Sequence, residues 1–394
     1  MDNHQQLGRR TLLRASLLAG ALGGCSTAMR GSAGGAPNLA PIQAQLDRIV
    51  DVTVCVRPFR PAGPRVEAEQ LGDTLVVHNY GHGGSGWSLS WGSSARAVQM
   101  AMAGSPREVA VIGCGVLGLT SAILAQRAGA QVTIYARDQL PLTRSVRATG
   151  EWTPDSRIAL AHVAAPGFAD VWEEMARNAF RIHSDYIGRP GTPVEWIDQY
   201  AVTDEAVVQS SGDRLRQGPD FASYGSRIRD LMPTWQRLPA DIAPFDAAAV
   251  SRSQIMMFNL TQYGNTLLNG FFAAGGQFQR AEFQEPAQIA ALGKKVVINC
   301  PGYGARTLWK DDTLIPVRGQ LAHLTPQPAV RYGVIWRQVI AVPRRDGIVV
   351  QSFEGGEEQG YGDGSEVPDR AESERAVMTL AELFSPPYWR AGIA

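Results

Sequence analysis

The sequence predicts an α/β fold with a parallel central sheet, a reading carried by two glycine-rich turns. The first follows the short β-branched run Glu108–Ile112. Gly113, Cys114, Gly115, Val116, Leu117 and Gly118 lead into a helix to about Ala128, Gly129 is placed as its C-cap, and Gln131–Ala136 forms a second strand. Strand, glycines, helix and strand in that order make up the dinucleotide-binding fingerprint. Gly113 permits the tight turn, Gly115 lets a pyrophosphate approach the backbone, and Gly118 lets the helix pack closely on the strand. The second turn follows Val76, Val77 and His78, where Gly81, Gly83, Gly84, Ser85, Gly86, Trp87 and Ser88 precede a helical stretch from about Leu89 to Met102. Such glycine density brings backbone N–H groups against a flat or anionic ligand, and the helix N-terminus behind it adds positive potential.

At 394 residues the chain can bury a large core in one or two domains. Its 37 basic and 37 acidic residues cancel, so charge makes no case for a nucleic-acid partner. The N-terminus reads as an export signal: Arg9 and Arg10 precede an apolar run to Leu22 that is too short to span a bilayer. Leu22, Gly23, Gly24 and Cys25 resemble a bacterial lipobox, which implies cleavage before Cys25, acylation of its thiol and an exported, periplasmic or cell-envelope protein held to a membrane by lipid. A twin-arginine signal suits a chain whose cofactor is inserted before export. Residues 26–41 read as a flexible tether and 385–394 as a loose tail.

Cys55, Cys114 and Cys300 have neither the number for a disulfide framework nor zinc-site spacing, so they read as buried thiols and no metal site is expected. His78 and His82 read as hydrogen-bonded loop residues, and the acidic, glycine-rich stretch 353–366 as a solvated loop. After the second strand of the fingerprint, Asp138 is a candidate for a ribose hydroxyl and Arg137 for adenine or phosphate; a solvated turn is the alternative for both.

In combination these segments resemble the D-amino-acid oxidase family of flavoproteins. The stretch Val76–Ser88 is similar to the family's signature loop against the flavin. Val56, Arg57, Pro58, Phe59, Arg60 and Pro61, with Arg65, Val66 and Glu67, resemble its substrate-binding strand. Leu140–Trp152 resembles the loop that wraps pyrophosphate and flavin; there Thr143, Ser145 and Gly150 match hydroxyl and backbone roles, and Arg144 and Arg147 offer charge to the phosphates. Lys295–Gly302 and Val317–Gln320 match the strand beneath the adenosine and the return into the substrate domain. In the family the substrate strand and signature loop come last, whereas here they come first, and the chain finishes on a helical stretch, Ala371–Phe384, that the family places just before them. This order implies a circular permutation over residues 42–384, with Ala103–Arg107 joining the former ends. FAD-binding parts are expected at about 74–165 and 270–318, and parts of a mixed or antiparallel-sheet substrate domain at about 42–73, 166–269 and 319–384.

The resemblance implies bound FAD and oxidation of a D-amino acid to an imino acid, then to a 2-oxo acid and ammonia. Hydride passes to the flavin N5, and oxygen, giving hydrogen peroxide, or a membrane electron acceptor such as a quinone takes the electrons. Arg57 is the first candidate for the substrate α-carboxylate, because a guanidinium fork holds a carboxylate through two charge-assisted bonds; a structural ion pair with Glu67 is the alternative. Arg60 reads as structural. Backbone groups of the loop around Gly84 and Gly86, with Trp87 and Ser88, are the candidates for stabilising negative charge on the flavin. The family's tyrosines ahead of an Ile-Pro pair are missing from Ile335–Pro343, and Trp336 or Gln338 is the candidate replacement. Two other readings remain open: oxidation of glycine, sarcosine or another amine, and a non-catalytic flavin-binding lipoprotein.

Overall fold

Fourteen strands in two sheets organise the computed structural model, which describes residues 37–204 and 218–390. In chain order they are β1 (Ile49–Phe59), β2 (Ala68–Leu71), β3 (Thr74–His78), β4 (Glu108–Ile112), β5 (Gln131–Ala136), β6 (Val194–Thr203), β7 (Gln236–Arg237), β8 (Ala249–Phe258), β9 (Gln277–Arg280), β10 (Val296–Asn299), β11 (Ile315–Leu324), β12 (Tyr332–Trp336), β13 (Val339–Arg344) and β14 (Gly347–Ser352). The longer helices are α1 (Gly86–Ala101), α2 (Val116–Arg127), α3 (Phe168–Ser184), α4 (Leu260–Ala273) and α5 (Arg370–Leu383).

The six-stranded sheet runs β2-β3-β10-β4-β5-β9, parallel throughout except for β2. Its inner strands are continuous apolar runs because both faces are covered: all four residues of β10, and four of the five in β4, are buried. Strands β3, β10 and β4 end in step, with Asn299 opposite both His78 and Ile112. The eight-stranded sheet runs β1-β11-β14-β13-β12-β6-β8-β7 and is mixed, since β12 pairs parallel with β6. The expected α/β class, with a parallel nucleotide-type sheet and a mixed second sheet, is what the chain adopts.

Helix α1 is buried nearly all round, between α2 and α3. Its close packing on α3 depends on Gly92, where an added Cβ would lie 2.0 Å from the Met175 carbonyl oxygen. Helices α3 and α4, expected in the substrate part, instead help to cover the parallel sheet: Trp172, Met175 and Ala179 from α3, and Tyr263, Leu267 and Phe271 from α4, share one core with α1 and α2. A second core lies under α5, where Val377, Leu380 and Leu383 meet Ile42, Ile49, Tyr332 and Trp336.

At the two ends of the described chain the packing goes further than expected. Residues Leu39 and Ala40, placed in the tether, pack on this second core, and Ala40 accepts a hydrogen bond from the Tyr332 hydroxyl at 2.8 Å. Residues 385–390 are held rather than loose: Trp389 packs on Phe245 and Phe384, and Arg390 pairs with Asp246 at 2.7 Å. Large aromatic area drives the packing of Trp389. The signal, Cys25 and the remainder of the tether and tail lie outside the described residues. Among those residues, no helix is long and apolar enough to cross a membrane.

Glu151 forms an isolated bridge to Met257, and its carboxyl, bonded by the Gln199 amide at 2.7 Å, is pushed up by burial to about 7 from 4.5. The folded chain therefore holds a proton there that the unfolded chain has released between those two values. Stability from this group is complete below about pH 4.5 and is lost as the pH rises to about 7, on the order of 3 kcal/mol in all. Glu151→Gln is expected to flatten denaturant-measured stability across that window. Gly92→Ala is expected to cost at least about 2 kcal/mol in the same assay. Gly104→Ala, with nothing within 4 Å of the added Cβ, should stay within about 0.5 kcal/mol of the parent.

Candidate functional site

Because β3, β10 and β4 stop level with one another, the turns after them open together at the carboxyl edge of the parallel sheet, where α/β folds hold ligands. Buried polar bonds lock those turns to the helices. The Asn79 amide donates to Ser94 Oγ on α1 and to Ser121 Oγ on α2, each at 3.2 Å, and Ser93 Oγ donates to the Asn79 side-chain oxygen. His82 Nε2 meets Ser93 Oγ at 2.7 Å, and burial pushes this imidazole down to about 3, so it is neutral. Both histidines of the loop serve structure as expected: His78 bonds Glu69 at 2.9 Å and Asn299 at 3.1 Å.

The shared opening is a cleft of about 400 Å³. Its wall takes in Arg137, Asp138, Glu282 and Phe283, then Gly113, Gly115, Thr143, Arg144 and Ser145, and also Arg57, Gly83, Gly84, Gly86 and Trp87. The two glycine turns thus face one cavity. Gly113 holds φ +94° against the Cys300 carbonyl, and Gly83 holds φ +55° with its Cα facing the Arg157 carbonyl oxygen, 1.9 Å from where a Cβ would sit. Neither position admits a side chain. Gly118 lies under Gly113, where a Cβ would be 2.0 Å from the Gly113 oxygen, which is the packing role expected of it.

Ser145 joins the two helix N-termini. Its carbonyl accepts the Trp87 indole N–H at 2.6 Å, and its hydroxyl accepts the Val116 backbone N–H at 3.0 Å. The first intrahelical bond of α1 runs from Leu89 N–H to Ser85 O, so the N–H groups of Gly86, Trp87 and Ser88 precede the ladder at the positive end of a 16-residue helix. Thr143 Oγ1 lies in the cleft wall, buried and without a hydrogen-bond partner. Arg137 pairs with Asp138 at 2.8 Å and Glu282 at 3.6 Å.

Arg57 projects from β1 opposite Val317, lies across Gly319 and donates to the Arg318 carbonyl at 3.2 Å. Burial lowers its pKa, and among the described residues no carboxylate comes within 4.0 Å of it. Glu67 pairs with Arg65 instead, which removes the alternative partner; Arg60 is structural as read, paired with Asp311 at 3.2 Å.

Five expected site residues lie elsewhere. Trp336 is fully buried in the core under α5, because alternation along β12 sends Tyr332, Val334 and Trp336 to that face. Gln338 sits at the tip of the β12–β13 turn with φ +64°, its carbonyl bonded by the Phe353 N–H. Gly150 packs against Phe258, Ser85 Oγ donates to the Ser156 carbonyl, and Ser88 Oγ accepts the Thr153 N–H, so all three brace the cleft from behind.

Other contributors were not anticipated. Glu366, from the stretch read as solvated, lines the cleft and pairs with Arg144 and, at 3.8 Å, Arg147. Tyr361 of the same stretch bridges to Val317 and packs on Phe59 and Phe221. Cys55 is half-buried in the cleft wall, unlike the fully buried Cys114 and Cys300. Charge pairing of Glu366 with two arginines more than two hundred residues earlier is a long-range feature; the clustered Arg144, Ser145, Val146 and Arg147 are the local signal for it. Among the described residues, no group of three or more His, Cys, Asp and Glu is placed to hold a metal ion.

The D-amino-acid oxidase of Streptomyces coelicolor is 30% identical to the chain over 220 residues, covering 54% of this chain and 58% of that protein. The D-amino-acid oxidase of Rubrobacter xylanophilus is 49% identical over 215 residues, covering 54% and 57%. The matched region thus spans a little over half the length of these relatives. Among solved structures, glycine oxidase from Geobacillus kaustophilus aligns with 70% of this chain and 77% of its own, at 16% identity and a TM-score of 0.48. Residues 108–393 match the model of the FAD-dependent oxidoreductases, and the chain belongs to that family.

Proposed function

We propose that the chain is an FAD-dependent oxidase of D-amino acids, assembled from a circularly permuted family sequence and carried as an exported, lipid-anchored protein. The observation that carries the catalytic reading is Arg57: a partly buried guanidinium, without a carboxylate partner among the described residues, in the same cleft as both glycine turns. Named relatives over half the chain are D-amino-acid oxidases, which supports the substrate class. Permutation is supported by two facts. The family match begins at residue 108, yet β3 sits inside the parallel sheet beside β10. Residues near 42 and near 383 share one core, so former neighbours can have been cut apart there. The signal and Cys25 support the anchor from sequence alone.

The family's cofactor is FAD, and the cleft suits it. Gly115 lines the cleft with no side chain between its backbone and the cavity, and the buried Thr143 Oγ1 in the same wall lacks a partner. Arg137 and Asp138 suit the adenosine end, with Thr143, Arg144, Ser145 and the Gly113–Gly115 turn suiting the phosphates. FAD when bound supplies the acceptor for the hydride leaving the substrate α-carbon. Arg57 holds the α-carboxylate and thereby orients that carbon. The N–H groups of Gly86 and Trp87, with the positive end of α1, favour negative charge that develops in the cleft. His82, neutral and turned into the serine network, takes no proton in this scheme.

Anaerobic mixing of the FAD-loaded protein with D-alanine, D-aspartate, D-lysine and glycine tests the reading. Bleaching of the visible flavin band by a D-amino acid is expected, and bleaching by glycine alone would overturn the substrate class. Arg57→Ala is expected to weaken benzoate binding by roughly 100-fold, the loss of a charge-assisted pair worth about 3 kcal/mol. Unchanged benzoate affinity would remove Arg57 from the site.

A further inference from the structure

A second guanidinium stands beside the first. Three backbone segments touch in succession here. Gly83 N–H donates to the Pro58 carbonyl at 2.8 Å, Gly84 N–H donates to the Ser156 carbonyl at 3.0 Å, and the Arg157 carbonyl faces Gly83. Arg57 and Arg157 therefore belong to adjoining strips of chain on either side of the glycine loop. The loop after β14 closes the same corner. Glu357 offers its carbonyl to Arg157 Nε at 2.8 Å, and Tyr361 bridges to Val317, the cross-strand partner of Arg57.

Arg157 resembles Arg57 in what it lacks. Its side-chain bonds go to the Glu357 carbonyl and, at 3.5 Å, to Ser156 Oγ, and no carboxylate among the described residues lies within 4.0 Å. Burial lowers its pKa to about 10, and the nearby positive charge of Arg57 lowers it too; Glu357 opposes them from beyond ion-pair distance. Arg157 stands just behind the cleft wall, its guanidinium 3.5 Å from the Ser156 hydroxyl that abuts Gly84 of the lining; the lining arginines Arg137, Arg144 and Arg147 differ in that each has an acidic partner. Arg157 also holds φ +49°, a conformation that side chains enter rarely, so this guanidinium is kept at a backbone position that glycine would occupy at lower cost. Two neighbouring, partly desolvated cations without an anion between them repel each other, and a ligand carrying two carboxylates relieves both.

We propose that Arg157 binds the side-chain carboxylate of the substrate while Arg57 binds its α-carboxylate, making a short dicarboxylic D-amino acid, aspartate or glutamate, the preferred substrate class. The inference rests on the oxidase reading and concerns recognition alone.

The test compares D-aspartate with D-asparagine, and D-glutamate with D-glutamine, on the FAD-loaded protein, because each pair differs in charge at nearly constant shape. The acid of at least one pair is expected to exceed its amide at least about 10-fold in kcat/KM. Arg157→Gly removes the guanidinium and suits the local backbone, so folding is retained; it is expected to bring the acid-to-amide ratio down at least about 10-fold, to near one. An amide used as well as its acid in both pairs, or a ratio that Arg157→Gly leaves unchanged, would overturn the proposal. If no D-amino acid reduces the flavin, the oxidase reading fails separately, and calorimetric titration with succinate and succinamate still decides this one. Tighter succinate binding that Arg157→Gly abolishes supports it, and equal binding of the two ligands rejects it.

Discussion

The level ending of three parallel strands is the constraint on which the site depends. Since Asn299 pairs with both His78 and Ile112, the loops after β3, β10 and β4 leave the sheet at one height and meet over one opening. Backbone bonds continue the register past the strands: Asn79 N–H reaches the Asn299 carbonyl and Cys300 N–H reaches the Ile112 carbonyl, each at 2.9 Å. A one-residue slip of β3 would turn its buried residues to the opposite face and carry the glycine loop away from the fingerprint turn. Asn79, wholly buried, then couples α1 to α2 through serines. Deleting one member of such a network leaves its partners unsatisfied in a low-dielectric interior, so the arrangement holds as a unit.

The electrostatics of the cleft follow from which arginines have partners. The chain as a whole carries no net charge, so any attraction for an anionic ligand has to be local. Acidic side chains offset Arg137, Arg144 and Arg147, the ones that flank the fingerprint end. Toward the α1 end the described residues offer Arg57 only a carbonyl. Partial burial there leaves a cation with unmet affinity, and the positive end of α1 points into the same space.

Much of the parallel sheet was legible because its signals are local. The strand–glycine–helix order gives α2 within a residue of its expected end, and Gly129 takes the left-handed conformation expected of a cap. The glycine loop and α1 were legible for the same reason. What failed to show locally depends on partners far away in sequence. Trp336 was a candidate for the substrate site until β12 paired with β6 and turned it toward α5. The acidic stretch at 353–366 has the composition of a solvated loop, yet Glu366 finds Arg144 more than two hundred residues earlier. Arg157 carried no motif at all; its interest comes from the glycine loop folded against its carbonyl.

Hydrogen exchange of backbone amides with and without FAD tests the central claim most directly, because it reads both turns in one experiment. The account predicts that adding FAD slows exchange both at Gly83–Ser88 and at Gly113–Gly118. Protection confined to one of the two segments, with the other unaffected at saturating FAD, would contradict a single shared site.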